Sequence, residues 1–133
     1  MPAWLEPRSL KWRPLWLGIG WLLVVLVIAL SLSPKMPRID VGFDHVDKVG
    51  HALAYFALMC WFGFIYLRGG HVWIALLLIL MGIGLEIVQY FAAYRWFSFA
   101  DMAANALGVT AGLLFARTRF AGTLVLFERR FEH

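Results

Sequence analysis

Three ionisable side chains in an otherwise apolar chain have the types needed for acid and base chemistry. His51, Glu86 and Asp101 combine an imidazole with two carboxylates. Such groups can exchange protons as a general acid and base, and the same groups are suitable ligands for a divalent metal ion. The chain has no HExxH and no GxSxG motif, so neither chemistry is specified by spacing. Catalysis on a lipid-linked phosphate or ester is therefore one hypothesis, and no cofactor is predicted.

A larger set of polar and aromatic residues has the types that bind a polar head group. Lysine and arginine contact phosphate or carboxylate, side-chain amides form oriented hydrogen bonds, and tyrosines supply amphipathic walls. The residues predicted to bind a ligand are Asp47, Lys48, Tyr55, Gln89, Tyr90, Arg95 and Asn105. The partner predicted from these types is a membrane lipid or a lipid-linked glycan.

The composition places these polar residues in a membrane protein. Of the 133 residues, 62% are hydrophobic and 15% are charged, and the mean hydropathy is +0.77. A soluble domain of this length has too little interior to bury so much apolar surface, so the remainder must face lipid. The net charge of +4 does not indicate nucleic-acid binding, because Lys and Arg lie between apolar runs. The single cysteine, Cys60, is predicted to be a packing residue.

Four apolar runs are long enough to cross a bilayer. The predicted spans are residues 15–32, 49–67, 72–90 and 98–116, with an extracytoplasmic loop at 33–48 and a basic tail at 117–133. The first run could also be read as a secretory signal peptide because basic residues precede it, but its 18 uncharged residues are long for that role. The chain is predicted to form a single membrane domain over residues 1–133, without internal repeats.

Local signals predict where two of the spans begin and end. Asp44, with Asp47 three residues later, predicts the start of the second helix, and the Gly69-Gly70 pair predicts its end. Ser98 and Asp101 form a capping-box pattern, which predicts that the fourth helix begins at Ser98.

The charges predict the orientation of the four spans. Both termini and the connection between spans two and three share one side, which carries eight basic and three acidic residues, a net charge of +5. The other side carries four basic and five acidic residues, a net charge of −1. By the positive-inside rule, both termini are predicted to be cytoplasmic.

The tail after span four has an amphipathic pattern. Phe120, Leu124, Phe127 and Phe131 recur at helical spacing among arginines, which predicts an interfacial helix on anionic lipid. A frayed basic tail is the alternative. The predicted fold class is therefore an all-α membrane protein, a four-transmembrane-helix bundle with a C-terminal interfacial amphipathic helix.

The polar residues of the last three spans lie toward the same leaflet. Span two begins there, span three ends there and span four begins there. At 100° per residue, the polar residues of each span share one face, so the three faces should converge on one extracytoplasmic pocket. Small residues support this direction: Gly82 shares a face with Glu86, while Gly108 and Gly112 form a GxxxG on the face of Asp101.

Four short motifs follow one another through the middle half of the chain. They are DKxxH at 47–51 followed by Tyr55, ExxQ at 86–89, an arginine at Arg95 in the next loop, and DxxxNxxG at 101–108. This series resembles the VanZ-like family of small bacterial membrane proteins, named for a protein that lowers susceptibility to the lipoglycopeptide teicoplanin. The resemblance implies a multi-pass protein of the bacterial cytoplasmic membrane and a contribution to teicoplanin resistance. It implies no particular biochemical activity.

Three hypotheses for the polar residues remain open at this stage. The favoured one is recognition of a lipid head group or envelope glycolipid, and the second is catalysis by His51 with Glu86 or Asp101. The third is a structural clip, in which Asp101 caps its helix, His51 hydrogen-bonds to Glu86 and Arg95 pairs with Asp101. A transporter is less favoured because the polar residues stop at one leaflet. A homo-oligomer or a membrane partner is also left open.

Overall fold

The structure, a computed structural model, describes residues 5–33, 44–92 and 99–132. Over these residues the regular secondary structure is helical, apart from one isolated β-bridge. The helices are α1 (Arg13–Leu32), α2 (Asp44–Ile65), α3 (Arg68–Phe91), α4 (Phe99–Ala116) and, after a 3-10 turn at Arg119–Gly122, α5 (Thr123–Arg130). This confirms the predicted all-α bundle of four long helices.

The four long helices have the length and composition of membrane spans. Each contains an 18-residue window of high hydropathy, from 1.4 to 2.6. Large apolar side chains point away from the bundle and are more than 60% exposed; they include Leu22, Leu30, Leu80, Leu107 and Leu114. A water-soluble protein would not expose so much apolar surface, so the chain is a multi-pass membrane protein whose outer surface faces lipid.

The connection between α2 and α3 differs from the predicted one. The α2 helix ends at Ile65, two residues before the predicted end, because the next backbone groups pair with the N-terminal segment: Arg8 N donates to Ile65 O at 2.8 Å and Leu67 N donates to Glu6 O at 2.9 Å. The prediction that Gly69 and Gly70 end the second helix is wrong, since both lie in the first turn of α3. Ser98, the predicted start of α4, lies outside the described residues.

Helix α2 packs against the other three long helices and makes its closest approach to α4. At Gly108 an added Cβ would lie 2.2 Å from the Ala52 carbonyl oxygen, and at Gly112 it would lie 2.7 Å from Met59 Cβ. Only glycine allows the two backbones this separation, so the GxxxG on α4 faces α2. The predicted direction of this face is therefore confirmed.

The C-terminal segment is helical, as predicted, and it packs against the bundle. Leu124 of α5 is buried with Trp16 of α1 and Ile65 of α2. Glu128, also buried, accepts hydrogen bonds from Lys11 N at 2.7 Å, Trp12 N at 2.8 Å and Trp16 Nε1 at 2.7 Å. Since α1 has no side-chain cap of its own, Glu128 serves as its N-terminal cap from a distant helix.

These contacts gather several segments at one end of the bundle, here called the basic end. It comprises residues 5–13, 65–71 and 116–132, which are joined by the bonds of Arg8 and Glu128 and by the bond from Arg68 Nη2 to Arg117 O. The N-terminal segment, the α2–α3 connection and the chain after α4 therefore share one end, as the even number of spans predicted.

Candidate ligand-binding site

Five polar residues are buried together near the opposite end of the bundle, and they are called the polar cluster below. Each has at most 4% of its surface exposed. They come from three helices and are Tyr55 of α2, Glu86 and Gln89 of α3, and Asp101 and Asn105 of α4. The sequence predicted the convergence of these faces. Because polar groups at membrane depth are costly unless they are paired, they mark a functional candidate.

Gly82 provides the space in which two of these side chains meet. A Cβ added to Gly82 would lie 3.0 Å from Asn105 Nδ2 and 3.3 Å from Tyr55 Oη. The Asn105 amide and the Tyr55 hydroxyl therefore both lie against the backbone of α3 at this glycine. One turn further along α3, Glu86 lies within electrostatic range of Tyr55. The three helices thus contribute a hydroxyl, a carboxyl group and an amide to one small region.

An ion pair lies at the edge of the polar cluster. Lys48 Nζ is 3.7 Å from Asp101 Oδ1, and this pair joins the second turn of α2 to the first turn of α4. The two partners differ in environment, since the Lys48 side chain is 38% exposed whereas that of Asp101 is 3% exposed. The ammonium group thus connects a buried carboxylate to the outer surface, directly before the apolar run of α2 that starts at Val49.

The two side-chain amides of the polar cluster differ in their hydrogen bonding. Gln89 Nε2 donates to the carbonyl oxygen of Ser31, and this bond ties α3 to the last turn of α1. Asn105 Oδ1 is buried and accepts no hydrogen bond from the part of the chain that the structure describes. An unpaired buried acceptor costs about 1–3 kcal/mol, so the fold leaves a cost at this oxygen that the described residues do not offset.

The remaining predicted ligand-binding residues are not part of the polar cluster as described. Tyr90 is 53% exposed on the outer face of α3 and packs edge-on against Phe91, with ring centroids 5.6 Å apart. The backbone of Asp47 lies in α2, but its side chain and the whole of Arg95 fall outside the described residues.

The three residues proposed for catalysis are not equally buried. His51 lies one turn before Tyr55 on α2 and is half-buried, whereas Glu86 and Asp101 are buried. Within residues 5–33, 44–92 and 99–132, no group of three His, Cys, Asp or Glu side chains is placed to hold a metal ion.

Two residues that organise the molecule were missed by the sequence analysis. Ser31 contributes its backbone carbonyl oxygen to Gln89, and a backbone acceptor has no signature in a sequence. Glu128 looked like one acidic residue of a basic tail, although its spacing from the apolar stripe, four residues after Leu124, places it on the buried face of α5. That spacing was the available signal.

The chain was compared with known families, proteins and structures. No family model, curated protein or solved structure matches the chain.

Proposed function

We propose that this multi-pass membrane protein binds the polar head group of a lipid or envelope glycolipid in the polar cluster. The observation that carries the proposal is the buried and unpaired Asn105 Oδ1, which lies beside Tyr55 and Gly82. A structural clip would be expected to satisfy its own members, because a partly satisfied buried network is less stable than an apolar core. A ligand that donates a hydrogen bond to Asn105 removes this cost.

The unpaired atom of the polar cluster sets the hydrogen-bonding type of the proposed ligand. Asn105 Oδ1 is a buried acceptor that receives no hydrogen bond from the described residues. A ligand that donates a hydrogen bond complements it, so a sugar hydroxyl or an ammonium group fits this proposal. Lys48, at the exposed edge, is the residue that would contact a phosphate of the same head group.

A lipid can approach this site from the membrane. Lys48 directly precedes the apolar run of α2, which starts at Val49, so we expect its ammonium group at the depth of the phospholipid head groups. The lipid chains would lie along the apolar outer surface of the bundle while the head group turns inward beside Lys48. This arrangement requires no soluble ligand and no passage across the membrane.

The test is lipid retention by the full chain with Asn105→Leu. Wild type and variant are reconstituted in nanodiscs of phosphatidylcholine, phosphatidylethanolamine and a monoglucosyl diacylglycerol, and retained lipids are counted by native mass spectrometry. Loss of a hydrogen bond to a buried acceptor should lower retention of the preferred lipid about tenfold. Thr110→Val is the matched control, because Thr110 is exposed on the same helix and bonds only to Ala106 O within its own helix.

The same variant separates the binding proposal from the structural clip. Leucine has nearly the shape of asparagine, so replacing an unpaired buried amide should leave stability unchanged or raise it. Equal retention by wild type and Asn105→Leu, at equal thermal stability, would contradict the binding proposal. A large loss of thermal stability with unchanged retention would favour the clip, for which the Gln89 bond to Ser31 O and the Lys48–Asp101 pair are the supporting contacts.

The resemblance to the VanZ-like family extends the proposal to antibiotic susceptibility. We infer that a bacterium expressing this chain resists teicoplanin better than one without it, since that drug carries a lipid tail and acts at the outer face of the membrane. The minimum inhibitory concentration should rise with wild type and return to the background value with Asn105→Leu at equal expression. An unchanged concentration with wild type would remove this extension and leave the lipid-retention result standing.

A further inference from the structure

We propose that Arg8, Arg68 and Arg117 form a binding site for a phosphate group at the basic end, opposite to the polar cluster. The proposal does not depend on the function proposed above. It rests on three guanidinium groups from three separate segments that the fold brings together, none of which is paired with a carboxylate of the described residues. Guanidinium groups bind phosphate through paired, charge-assisted hydrogen bonds, which makes a phosphate the natural partner of such a site.

Backbone contacts fix the three arginines near one another. Arg8 N donates to Ile65 O at 2.8 Å, and the neighbouring Pro7 forms a β-bridge with Tyr66. Arg68, the first residue of α3, donates from Nη2 to the carbonyl oxygen of Arg117, which follows the last residue of α4. The N-terminal segment, the start of α3 and the end of α4 are therefore joined where these side chains project.

The α2–α3 turn that carries Arg68 is held from inside the bundle by His71. Its ring is fully buried, and Nε2 lies 2.9 Å from Gly63 O and 3.2 Å from Tyr66 O, so Nε2 carries a hydrogen that both carbonyl oxygens face. Arg8 and Arg117 both lie within electrostatic range of this ring. His71 is thus a positioning residue behind the arginines and supplies no negative charge.

The arginines are close enough to repel one another, and the fold offers no compensation. Burial and the charge of Arg68 hold the pKa of Arg8 below its ordinary value. In residues 5–33, 44–92 and 99–132, no carboxylate pairs with any of the three guanidinium groups. The nearby carboxylate of Glu128 is already bound to Lys11 N, Trp12 N and Trp16 Nε1.

Two of the guanidinium groups also have buried donors without acceptors. The Nε atoms of Arg8 and Arg117 are buried and make no hydrogen bond to any residue that the structure describes. Leaving a charged donor unpaired is more costly than leaving a neutral one. Arg68 itself is exposed and Arg8 and Arg117 are partly exposed, so the site can be reached from outside. A phosphate group in this position would accept from the free donors and offset the mutual repulsion.

The site lies at the depth of the lipid head groups. Arg68 begins one apolar helix and Arg117 directly follows another, so both flank the membrane spans. The first turn of α3 adds the positive end of a helix dipole. Two sources of phosphate fit this chemistry, the head group of an anionic phospholipid and free phosphate in solution, and the experiment distinguishes them.

The experiment uses the full chain in two parallel measurements. In nanodiscs of phosphatidylcholine with phosphatidylglycerol as the minor component, native mass spectrometry counts the lipids that the protein retains. In detergent without phospholipid, thermal denaturation is followed as inorganic phosphate replaces chloride at constant ionic strength. The test variant is Arg8→Gln with Arg68→Gln. The matched control is Arg129→Gln with Arg130→Gln, which removes two exposed arginines from the same end.

The expected result is preferential retention of phosphatidylglycerol by wild type. The test variant should retain about tenfold less of it, whereas the control variant should change retention by less than about twofold. Stabilisation by inorganic phosphate without phosphatidylglycerol retention would assign the site to soluble phosphate. Arg8 donates to Ile65 O from its backbone N–H, so the Arg8 substitution leaves that hydrogen bond in place.

Two results would overturn the proposal. The first is wild-type protein that neither prefers phosphatidylglycerol nor is stabilised by phosphate, a result that needs no variant to fold. The second is an equal loss of retention in the test and control variants, which would mean that diffuse surface charge attracts the lipid.

Discussion

The two ends of the bundle satisfy their polar groups in different ways. In the polar cluster the interacting groups belong to membrane helices, and side chains of α2, α3 and α4 face one another, as in the Lys48–Asp101 pair. At the basic end most of the polar residues lie outside the apolar helices, and their bonds run to the backbone. Glu128 binds two N–H groups at the start of α1, and Arg68 binds a carbonyl oxygen at the end of α4.

This difference follows from the solvent that each region meets. Inside a bilayer there is no water to pair with a side chain, so polar groups in one span must meet polar groups or backbone in another. At the ends of helices the unsatisfied groups are the backbone groups of the first and last turns. The pairing of polar groups in the polar cluster therefore depends on how closely the helices approach one another. At the basic end it depends on segments that fold back onto the helix ends and cap them.

The most direct way to break the polar cluster is to separate α2 from α4. Gly108→Ala places a methyl group 2.2 Å from the Ala52 carbonyl oxygen, which cannot move without moving α2. We expect a loss of about 3 kcal/mol in the free energy of unfolding, since overpacking a tight contact typically costs 1–3 kcal/mol. This change is measured by adding sodium dodecyl sulfate to the protein in a mild detergent and following its unfolding by circular dichroism.

Gly84→Ala is the matched control for Gly108→Ala. Gly84 also lies in a membrane helix, but an added Cβ meets nothing within 4 Å. The control should raise stability by roughly 0.5–1 kcal/mol, because alanine favours the helix over glycine. Equal effects of the two substitutions would contradict the close contact between α2 and α4.

At the basic end the corresponding change is Glu128→Gln. The glutamine side chain has one acceptor oxygen where Glu128 uses two, so its NH₂ group would face the N–H of Lys11 or Trp12. We expect a loss of about 2 kcal/mol in the free energy of unfolding, measured by the same titration. Glu132→Gln, which removes an exposed acid from the same tail, should change stability by less than about 0.5 kcal/mol.

The effect of Glu128 should depend on pH in a defined direction. Burial alone would raise its pKa, but the hydrogen bonds from Trp16, Trp12 and Lys11 outweigh burial and hold the pKa of Glu128 below its ordinary value of 4.5. A carboxyl whose pKa is lowered by folding stabilises the protein above the unfolded pKa and loses that contribution as pH falls through the folded pKa. The stability difference between wild type and Glu128→Gln should therefore be constant from neutral pH to pH 4.5 and shrink below it.

A stability difference that already shrinks between pH 7 and pH 5 would contradict this assignment, because it would require a pKa of Glu128 above 4.5. Glu132→Gln again serves as the control and should show no pH-dependent difference of similar size.

The two ends also differ in how far the sequence predicts them. The polar cluster was predictable because helical periodicity places Glu86 and Asp101 on faces that also carry Gly82 and Gly108. The four spans were predictable because each is a long and mostly apolar run. Periodicity did not predict the outward position of Tyr90, which lies only 40° from Glu86 around the helix at 100° per residue. The buried face of α3 instead continues through Gln89.

The contacts at the basic end could not be derived from local patterns. Residues 6–8 pair with the α2–α3 connection across more than fifty positions, and the backbone groups involved carry no residue-type signal. This pairing also explains the error at Gly69 and Gly70. Glycines after an apolar run commonly end a helix, but here the pairing at Ile65 and Leu67 ended α2 first, and the glycines became part of α3.

The smallest expected effect concerns the partners of two buried carboxylates, Asp101 at one end of the bundle and Glu128 at the other. Asp101 pairs with a lysine that is 38% exposed, so water screens the attraction, whereas Glu128 is bound by N–H groups. In a double-mutant cycle of Lys48→Gln and Asp101→Asn, the coupling free energy should be about 0.5 kcal/mol. The cycle is needed because Asp101 has further interactions that Asp101→Asn alone would also change. A coupling of about 2 kcal/mol or more would mean that the pair is desolvated, and that Lys48 would have to leave Asp101 before it could contact a phosphate.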